Sequence, residues 1–325
     1  MNPTLAKIRR SLTNELAQYE KTFREVMASE VKLIDRIAKY IVRRKGKGLR
    51  PLLVILSAKM LGRPNRNTYI VASLVEILHT ATLVHDDVVD DAHIRRNFPS
   101  INAIWKNKIS VLMGDYLLAK SLISATETGS LVIMNILAET SKRLSRGELF
   151  QIEKSRRLNI TESEYYQMIA DKTAALLSAC CELGALTVNA ADRDREALKS
   201  YGEKLGLAFQ IKDDLLDYQS SALILGKPVG SDLKEKKITL PLILALNSAP
   251  DKERKSIIRL LKKDVSRQDI KKIFQFCEKY DGITNANRKT IELAEEAKQY
   301  IDYLPDSSEK ENAIKFVEYI VDRKK

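Results

Sequence analysis

The sequence is poor in residues that break or staple a chain. Among its 325 residues are only three cysteines, 12 glycines, eight prolines and one tryptophan. Cys180, Cys181 and Cys277 form no CxxC pair, and adjacent cysteines are badly placed for an ordinary disulfide. An odd count without paired spacing fits a reducing compartment better than a disulfide framework. Scarce glycine and proline argue against many short strands and turns. Aromatic residues make up 6% and are not interleaved with basic ones, so a stacking platform for single-stranded nucleic acid is missing. No continuous apolar run approaches the roughly 20 residues that cross a bilayer. The opening MNPTLAKIRRSLTNELAQYEK has no apolar core of a signal peptide and reads as a charged amphipathic helix. A cytoplasmic protein without a transmembrane segment is expected, with peripheral membrane contact left open.

What is present is an ordinary folded composition, 44% hydrophobic and 30% charged, which gives no sign of disorder. The net charge of +12 lies largely in lysines on polar helix faces and at the ends, such as Asp322-Arg323-Lys324-Lys325. A solvated surface is the plain reading and anionic small molecules the sharper one. Apolar residues recur at three-and-four spacing, as in Val31, Ile34, Ile37, Ala38 and Ile41, and again in Ile291, Ala294, Ala297, Ile301 and Leu304. No proline occurs between Pro99 and Pro228, so long helices can run there. The expectation is an all-α fold, one domain over residues 1–325. A more highly charged subregion with shorter helices is expected over 250–325.

One short pattern occurs twice. Asp86-Asp87-Val88-Val89-Asp90 and Asp213-Asp214-Leu215-Leu216-Asp217 both read D-D-x-x-D. On a helix the three acids fall within an arc of roughly 100°, so their carboxylates converge and repel without a cation. Hard oxygen donors on one face suit Mg²⁺, which shares carboxylates with substrate phosphates. One such cluster is weak, because acidic helix faces are common. Here the intervening residues are apolar, and two matching clusters far apart in sequence can face each other across a bundle cavity. Such a cage suits a highly charged ligand, diphosphate above all. Lys45, Lys47 and Arg50 stand around the two glycines of KGKGLRP, Arg95 and Arg96 follow the first cluster, and Lys172, Lys227 and Lys237 surround the second in sequence. Together they suggest two diphosphate subsites.

The motifs KGKGLRP, LVHDDVVDDAHIRR, GDYLLA, KTAAL, FQIKDDLLD, GKPVGSDL and KITLP occur in that order between about Lys45 and Leu244. In this the chain resembles the trans-prenyltransferases, the all-trans polyprenyl diphosphate synthases. The resemblance implies an all-α helical bundle of isoprenoid synthase type around a deep central cavity, usually a homodimer. It implies Mg²⁺-dependent elongation, with three ions when substrate is bound. Asp86, Asp87, Asp90, Asp213, Asp214 and Asp217 would bind the metal bridging an allylic diphosphate. Lys47, Arg50, His79 and Arg96 would hold isopentenyl diphosphate. Arg95, Lys172, Lys227 and Lys237 would contact the allylic diphosphate, with Thr173 and Gln210 lining that site. His85 and His93 fit structural or hydrogen-bonding roles better than metal ligation, since Mg²⁺ prefers oxygen.

The chain departs from the family pattern at Asn97 and Lys236, where glycine is usual, and at Lys45 and Gly48. Ala81 and Thr82 stand five and four residues before Asp86, about one helical turn of 5.4 Å away. Short-chain family members commonly place an aromatic there. Small residues therefore point to an open tunnel and a medium or long product, heptaprenyl to nonaprenyl and octaprenyl-like, for quinone side chains. Ordinary helix packing explains small residues as well. The rival readings are a farnesyl or geranylgeranyl diphosphate synthase, a regulatory subunit of a heteromeric synthase, a terpene cyclase and a nucleic-acid-binding helical protein. Two complete D-D-x-x-D clusters weigh against the cyclase and the silent subunit.

Overall fold

Helical spacing becomes helix almost throughout the computed structural model, which describes residues 2–44, 46–95, 98–218 and 230–323. In chain order come α1 (Pro3–Ser11), α2 (Thr13–Met27), α3 (Lys32–Arg43), α4 (Leu49–Leu61) and α5 (Arg66–Val89). A two-residue hairpin follows, β1 (Ile94–Arg95) antiparallel to β2 (Phe98–Pro99). Next are α6 (Ile101–Glu127), α7 (Leu131–Arg157), α8 (Glu162–Ile169), a π-turn (Ala170–Ala174), α9 (Ala175–Thr187) and α10 (Asp192–Asp217). The last are α11 (Ser231–Lys234), α12 (Leu240–Ser248), α13 (Asp251–Leu261), α14 (Arg267–Lys279), α15 (Gly282–Asp302) and α16 (Ser308–Asp322). The fold is all-α, and the long helices α6, α7 and α10 occupy the proline-free stretch. Contacts divide the chain into two compact units. One comprises Met1–Lys142, Leu176–Gly202 and Leu304–Ala313, the other Arg143–Ala175, Glu203–Tyr303 and Ile314–Lys325.

In the first unit α4 and α5 are the core. Eight consecutive residues of α4, Pro51 to Ala58, are buried, as expected of a helix apolar on every side. Helix α5 opens with a capping box, Asn65 and Thr68 satisfying each other's backbone N–H groups. Near its other end the His85 ring lies against α6 at Gly114, where a Cβ would come within 2.2 Å of it. His85 Nε2 is 3.3 Å from the Val111 carbonyl and 3.3 Å from an Asp115 carboxylate oxygen. That is a structural, hydrogen-bonding histidine.

In the second unit Tyr165, Ile169, Ile211, Leu215, Tyr218, Leu242 and Phe274 belong to one buried apolar cluster. Full burial of each such side chain contributes about 1.5–3 kcal/mol before the entropy of ordering it. A Cβ at Gly282 would meet the Pro241 carbonyl at 2.1 Å, so α15 starts in direct contact with α12.

Three expectations need correction. Val31 lies before α3 and is 56% exposed, and Ile291 is 44% exposed, so neither belongs to its helix's buried face. Beyond residue 250 the helices are not uniformly shorter, since α15 has 21 residues. Finally, α5 and α6 are long and apolar enough to cross a membrane by length and composition. Scattered polar residues interrupt any continuous run without lowering the average much. In α5, 67% of the qualifying window is buried within the protein, which marks a core helix.

Candidate active site

The first acidic cluster sits where α5 stops. Asp90 is the C-cap residue (φ −86°, ψ 0°) and Asp91 takes the left-handed conformation at φ 47°. The Ala92 N–H bonds to the Asp87 carbonyl at 2.9 Å and the Asp91 N–H to the Val88 carbonyl at 3.3 Å. This is a Schellman stop, in which aspartate tolerates the left-handed position. Asp91 thus ends the helix, leaving Asp86, Asp87 and Asp90 as the motif.

Asp87 is 3% exposed, and Arg95 Nε donates to its Oδ1 at 2.5 Å. Burial pushes the Asp87 carboxyl above its ordinary range, the Arg95 contact opposes this, and the Asp90 charge adds to it. Asp87, His79 and Arg95 line one cleft of about 660 Å³ with Glu76, Tyr40, Arg44 and Phe98. The hairpin is tied down beside it, with the Arg44 guanidinium 3.5 Å over the Phe98 ring and the Tyr40 hydroxyl donating to the Pro99 carbonyl at 2.6 Å.

Ala81 and Thr82 do not line that cleft. Ala81 is buried, and the Thr82 hydroxyl donates to the His79 carbonyl at 2.9 Å. Gly48 caps α4 in the left-handed conformation (φ 61°), between an exposed Lys47 and a half-buried Arg50. Arg9 donates to the Lys47 carbonyl at 3.0 Å. His93 is exposed, 4.0 Å from the Asp91 carboxylate. Arg96, Asn97, Lys45 and Lys227 lie outside the described residues.

The second cluster sits at the end of α10 in a more enclosed setting. Asp214 is 5% exposed and accepts from the Tyr165 hydroxyl at 2.6 Å and from Gln210 Nε2 at 2.8 Å. Burial, aided by the Asp232 charge, pushes its carboxyl up to about 8 against those two bonds. Asp217 accepts from the backbone N–H groups of Gly230 and Asp232 at 3.1 and 3.3 Å. Asp213 pairs with Arg323 at 2.6 Å. Thr173 donates to Gln210 at 2.6 Å, and Lys172 Nζ lies 2.5 Å from Glu148 and 3.1 Å from Gln151. A cleft of about 630 Å³ brings together Lys172, Gln210, Asp214, Lys237, Gln151 and Asp232. The Asp232 carboxyl is pushed up to about 6 by burial and by Asp217, with Lys237 opposing.

Lys236, at a usual glycine position, adopts φ 59°. Its N–H bonds to the Leu233 carbonyl at 3.1 Å, and the Lys237 N–H to the Asp232 carbonyl at 2.8 Å. This second Schellman stop ends α11 and sets the backbone direction at Lys237.

Among the described residues no three acids, histidines or cysteines are gathered into a metal-binding group. The convergence expected from helical spacing is relaxed because the acids turn to different protein donors: Asp87 to Arg95, Asp213 to Arg323, Asp214 to Tyr165. The donor set still fits a hard divalent cation. It is all oxygen, it includes buried carboxyls that resist ionising alone, and both clusters end helices whose C-terminal dipole opposes negative charge by about 0.3–1 kcal/mol.

Sequence reasoning missed Asp232, although it stands within GKPVGSDL; a fourth acid beside a metal motif was the available signal. It also missed Tyr165, whose spacing is that of a core aromatic. Arg323 read as surface charge, yet its side chain is 7% exposed and lies 3.9 Å over the Phe209 ring.

A profile of the polyprenyl synthetase family matches residues 31–277. The chain belongs to the polyprenyl synthetase family. It is 32% identical to octaprenyl diphosphate synthase of Escherichia coli (strain K12), over 98% of this chain and 99% of that protein. Its structure is similar to a decaprenyl diphosphate synthase from Rhodobacter capsulatus, with TM-score 0.94, 35% identity and 99% of each chain covered. It also resembles a polyprenyl synthase from Caulobacter crescentus CB15 complexed with calcium and isoprenyl diphosphate. There the TM-score is 0.91 and the identity 32%, over 99% of this chain and 98% of that one. Relatives at 33% and 31% identity, matched over 90% and 89% of this chain, are a heptaprenyl diphosphate synthase component 2 from Geobacillus stearothermophilus and a short chain isoprenyl diphosphate synthase from Methanothermobacter thermautotrophicus. Family membership makes the chain a prenyltransferase.

Proposed function

We propose that this prenyltransferase is a Mg²⁺-dependent trans-polyprenyl diphosphate synthase, adding isopentenyl diphosphate units to an allylic diphosphate to give a medium or long product. The observation that carries the reading is the pair of D-D-x-x-D helix ends, each all-oxygen, partly buried and set beside lysine or arginine. Bound Mg²⁺ supplies charge neutralisation to the departing diphosphate. Asp86, Asp87, Asp90, Asp213, Asp214 and Asp217 would hold it.

Lys172, Arg95, Lys227 and Lys237 orient the allylic diphosphate and stabilise the charge it gains as its C–O bond breaks. Thr173 and Gln210 place hydrogen-bonding groups in the same site. Lys47, Arg50, His79 and Arg96 hold isopentenyl diphosphate so that its double bond attacks the allylic carbon, after which a proton passes to the released diphosphate. No side-chain nucleophile takes part. Ala81 and Thr82 leave room for growth beyond the first condensations.

A homodimer and a cytoplasmic location complete the proposal. Val111, Leu112, Leu122 and Ile123, all beyond the kink that Lys106 puts in α6 (φ 69°, ψ 167°), share an exposed face of that helix, which a second copy would cover. The reading as a silent regulatory subunit of a heteromeric synthase is disfavoured because both acid clusters are complete.

The deciding experiment incubates the pure protein with Mg²⁺, isopentenyl diphosphate and farnesyl or geranylgeranyl diphosphate, and measures product length. Elongation abolished by EDTA is expected, with a medium or long product in the range named for the heptaprenyl and octaprenyl diphosphate synthase relatives. Failure to elongate any primer would overturn the assignment.

A further inference from the structure

The segment that carries Lys172 and Thr173 is not α-helical. Residues Ala170–Ala174 form a π-turn, with the Ala175 N–H bonded to the Ala170 carbonyl. Such turns are rare and geometrically less favourable than α-helix, so something must hold them. Here three features do. Gly147 on α7 lets the backbone of Lys172 approach so closely that a Cβ would meet its nitrogen at 2.6 Å. Gly206 on α10 does the same at Ala174, where a Cβ would lie 2.5 Å from Cα. Between these contacts, the Asp171 carboxylate is 3% exposed in side chain and faces α7.

Asp171 accepts four hydrogen bonds. Arg146 binds it as a fork, Nε at 2.7 Å and Nη2 at 2.9 Å; Arg143 Nε donates at 2.9 Å and Gln167 Nε2 at 3.1 Å. Arg143 also donates to the Ala170 carbonyl at 3.3 Å, at the start of the π-turn. Burial raises the Asp171 carboxyl, but the bonds from Arg146, Arg143 and Gln167 outweigh it and hold the group below its ordinary range. The acid is therefore a fixed anion. It lies outside the lining of the cleft that holds Lys172, Gln210 and Asp214. Nothing in the assigned chemistry uses it.

We infer that Asp171, clamped by Arg143 and Arg146, is a positioning residue that fixes the π-turn and so aims Lys172 and Thr173 at the allylic diphosphate. The inference rests on the proposed synthase activity and deepens it. Loss of the clamp lets the turn relax toward α-helix. That rotates Lys172 away from Glu148 and Gln151 and loosens the Thr173–Gln210–Asp214 chain. The isopentenyl diphosphate residues Lys47, Arg50 and His79 are carried by α4, α5 and their preceding loop, so their contacts are not built on this turn.

The test is a split in KM, measured on the full chain with saturating Mg²⁺. Asp171→Asn should raise KM for farnesyl diphosphate by about tenfold or more while KM for isopentenyl diphosphate stays within about twofold, since small misplacements of binding groups have effects of this order. Arg146 has a half-exposed side chain, so Arg146→Ala offers a variant less exposed to folding failure. It should show the same split in a protein that still unfolds cooperatively above the assay temperature, with a lowered melting temperature because a buried carboxylate loses its fork. Arg146→Lys should recover only part, because lysine keeps the charge and loses the fork. Calorimetric binding of farnesyl thiolodiphosphate, a non-ionising primer analogue, should weaken in parallel.

Equal rises in both KM values, or an unchanged primer KM in a folded variant, would overturn the inference. Wild-type protein that elongates no primer defeats the synthase reading instead. Wild-type elongation with indifferent variants defeats only the clamp.

Discussion

The same five-letter acid pattern ends two helices, and the two ends are built differently. At the close of α5, Asp90 is exposed, and buried Asp87 has a cationic side-chain partner in Arg95. At the close of α10, Asp214 is fixed by Tyr165 and Gln210, Asp217 by two backbone N–H groups, and Asp213 by Arg323. Four and five residues upstream the contrast continues: Thr82 and Ala81 in α5, but Phe209 and Ala208 in α10. One end has spare solvent-facing acid and small upstream neighbours. The other is an acid set in which every member already has a hydrogen-bond or ion-pair partner, with an aromatic beneath an arginine. A motif thus specifies which atoms are available, while the surrounding fold decides which partners each one meets.

If both ends serve the same metal chemistry, neutralising an acid at either should be equally damaging. Asp87→Asn and Asp214→Asn are each expected to lower kcat/KM by about 10²–10³-fold, the usual loss for one electrostatic contributor to a transition state. Steady-state assays over a Mg²⁺ titration check this. Near wild-type activity in either variant would show that only one cluster carries the reaction.

The upstream contrast gives the next prediction. Ala81→Phe should shorten the product, read by chromatography of the hydrolysed alcohols, because the bulky ring closes space one turn above the acids. Ala81 is buried, so the same change should also destabilise the protein by about 1–3 kcal/mol through overpacking. Unchanged product length in a folded variant would remove Ala81 from the length-setting machinery.

Much of this was legible in the sequence because the relevant signals are local. Three-and-four spacing located α3 and α15, and the repeated acids, Lys172, Gln210 and Lys237 were all flagged by their motifs. What was hidden depends on partners distant in sequence. Tyr165 meets Asp214 from 49 residues away, and Arg323 reaches Phe209 from 114. Periodicity also says nothing of hydrogen-bond register, so the π-turn under KTAAL read as ordinary helix. The exposure of Val31 and Ile291 shows the converse limit, since spacing defines a helix face but not its edges.

The third acids offer a subtler comparison. Asp217 holds two backbone N–H groups, whereas Asp90 stands exposed at a helix cap. Asp217→Ala should therefore cost stability as well as activity, about 1.5–3 kcal/mol for hydrogen bonds to a charged group. Asp90→Ala should lower activity with little change in the denaturant midpoint. Equal stability losses would mean that Asp217 contributes no more to the local fold than its counterpart.

The smallest effect is expected where the two regions agree. Both clusters neighbour a Schellman stop, with Asp91 in one and Lys236 in the other at the position that favours glycine. For an ordinary residue the left-handed backbone costs about 1–2 kcal/mol, but glycine returns about 0.5–1 kcal/mol of that as lost unfolded-state restriction. Lys236→Gly should therefore raise stability by no more than about 1 kcal/mol and leave kcat/KM within about twofold. The backbone turn that directs Lys237 would be the same in both proteins. A marked loss of activity in Lys236→Gly would instead give the Lys236 side chain a part in holding diphosphate, and the second acid cluster would then command one more cation than the first.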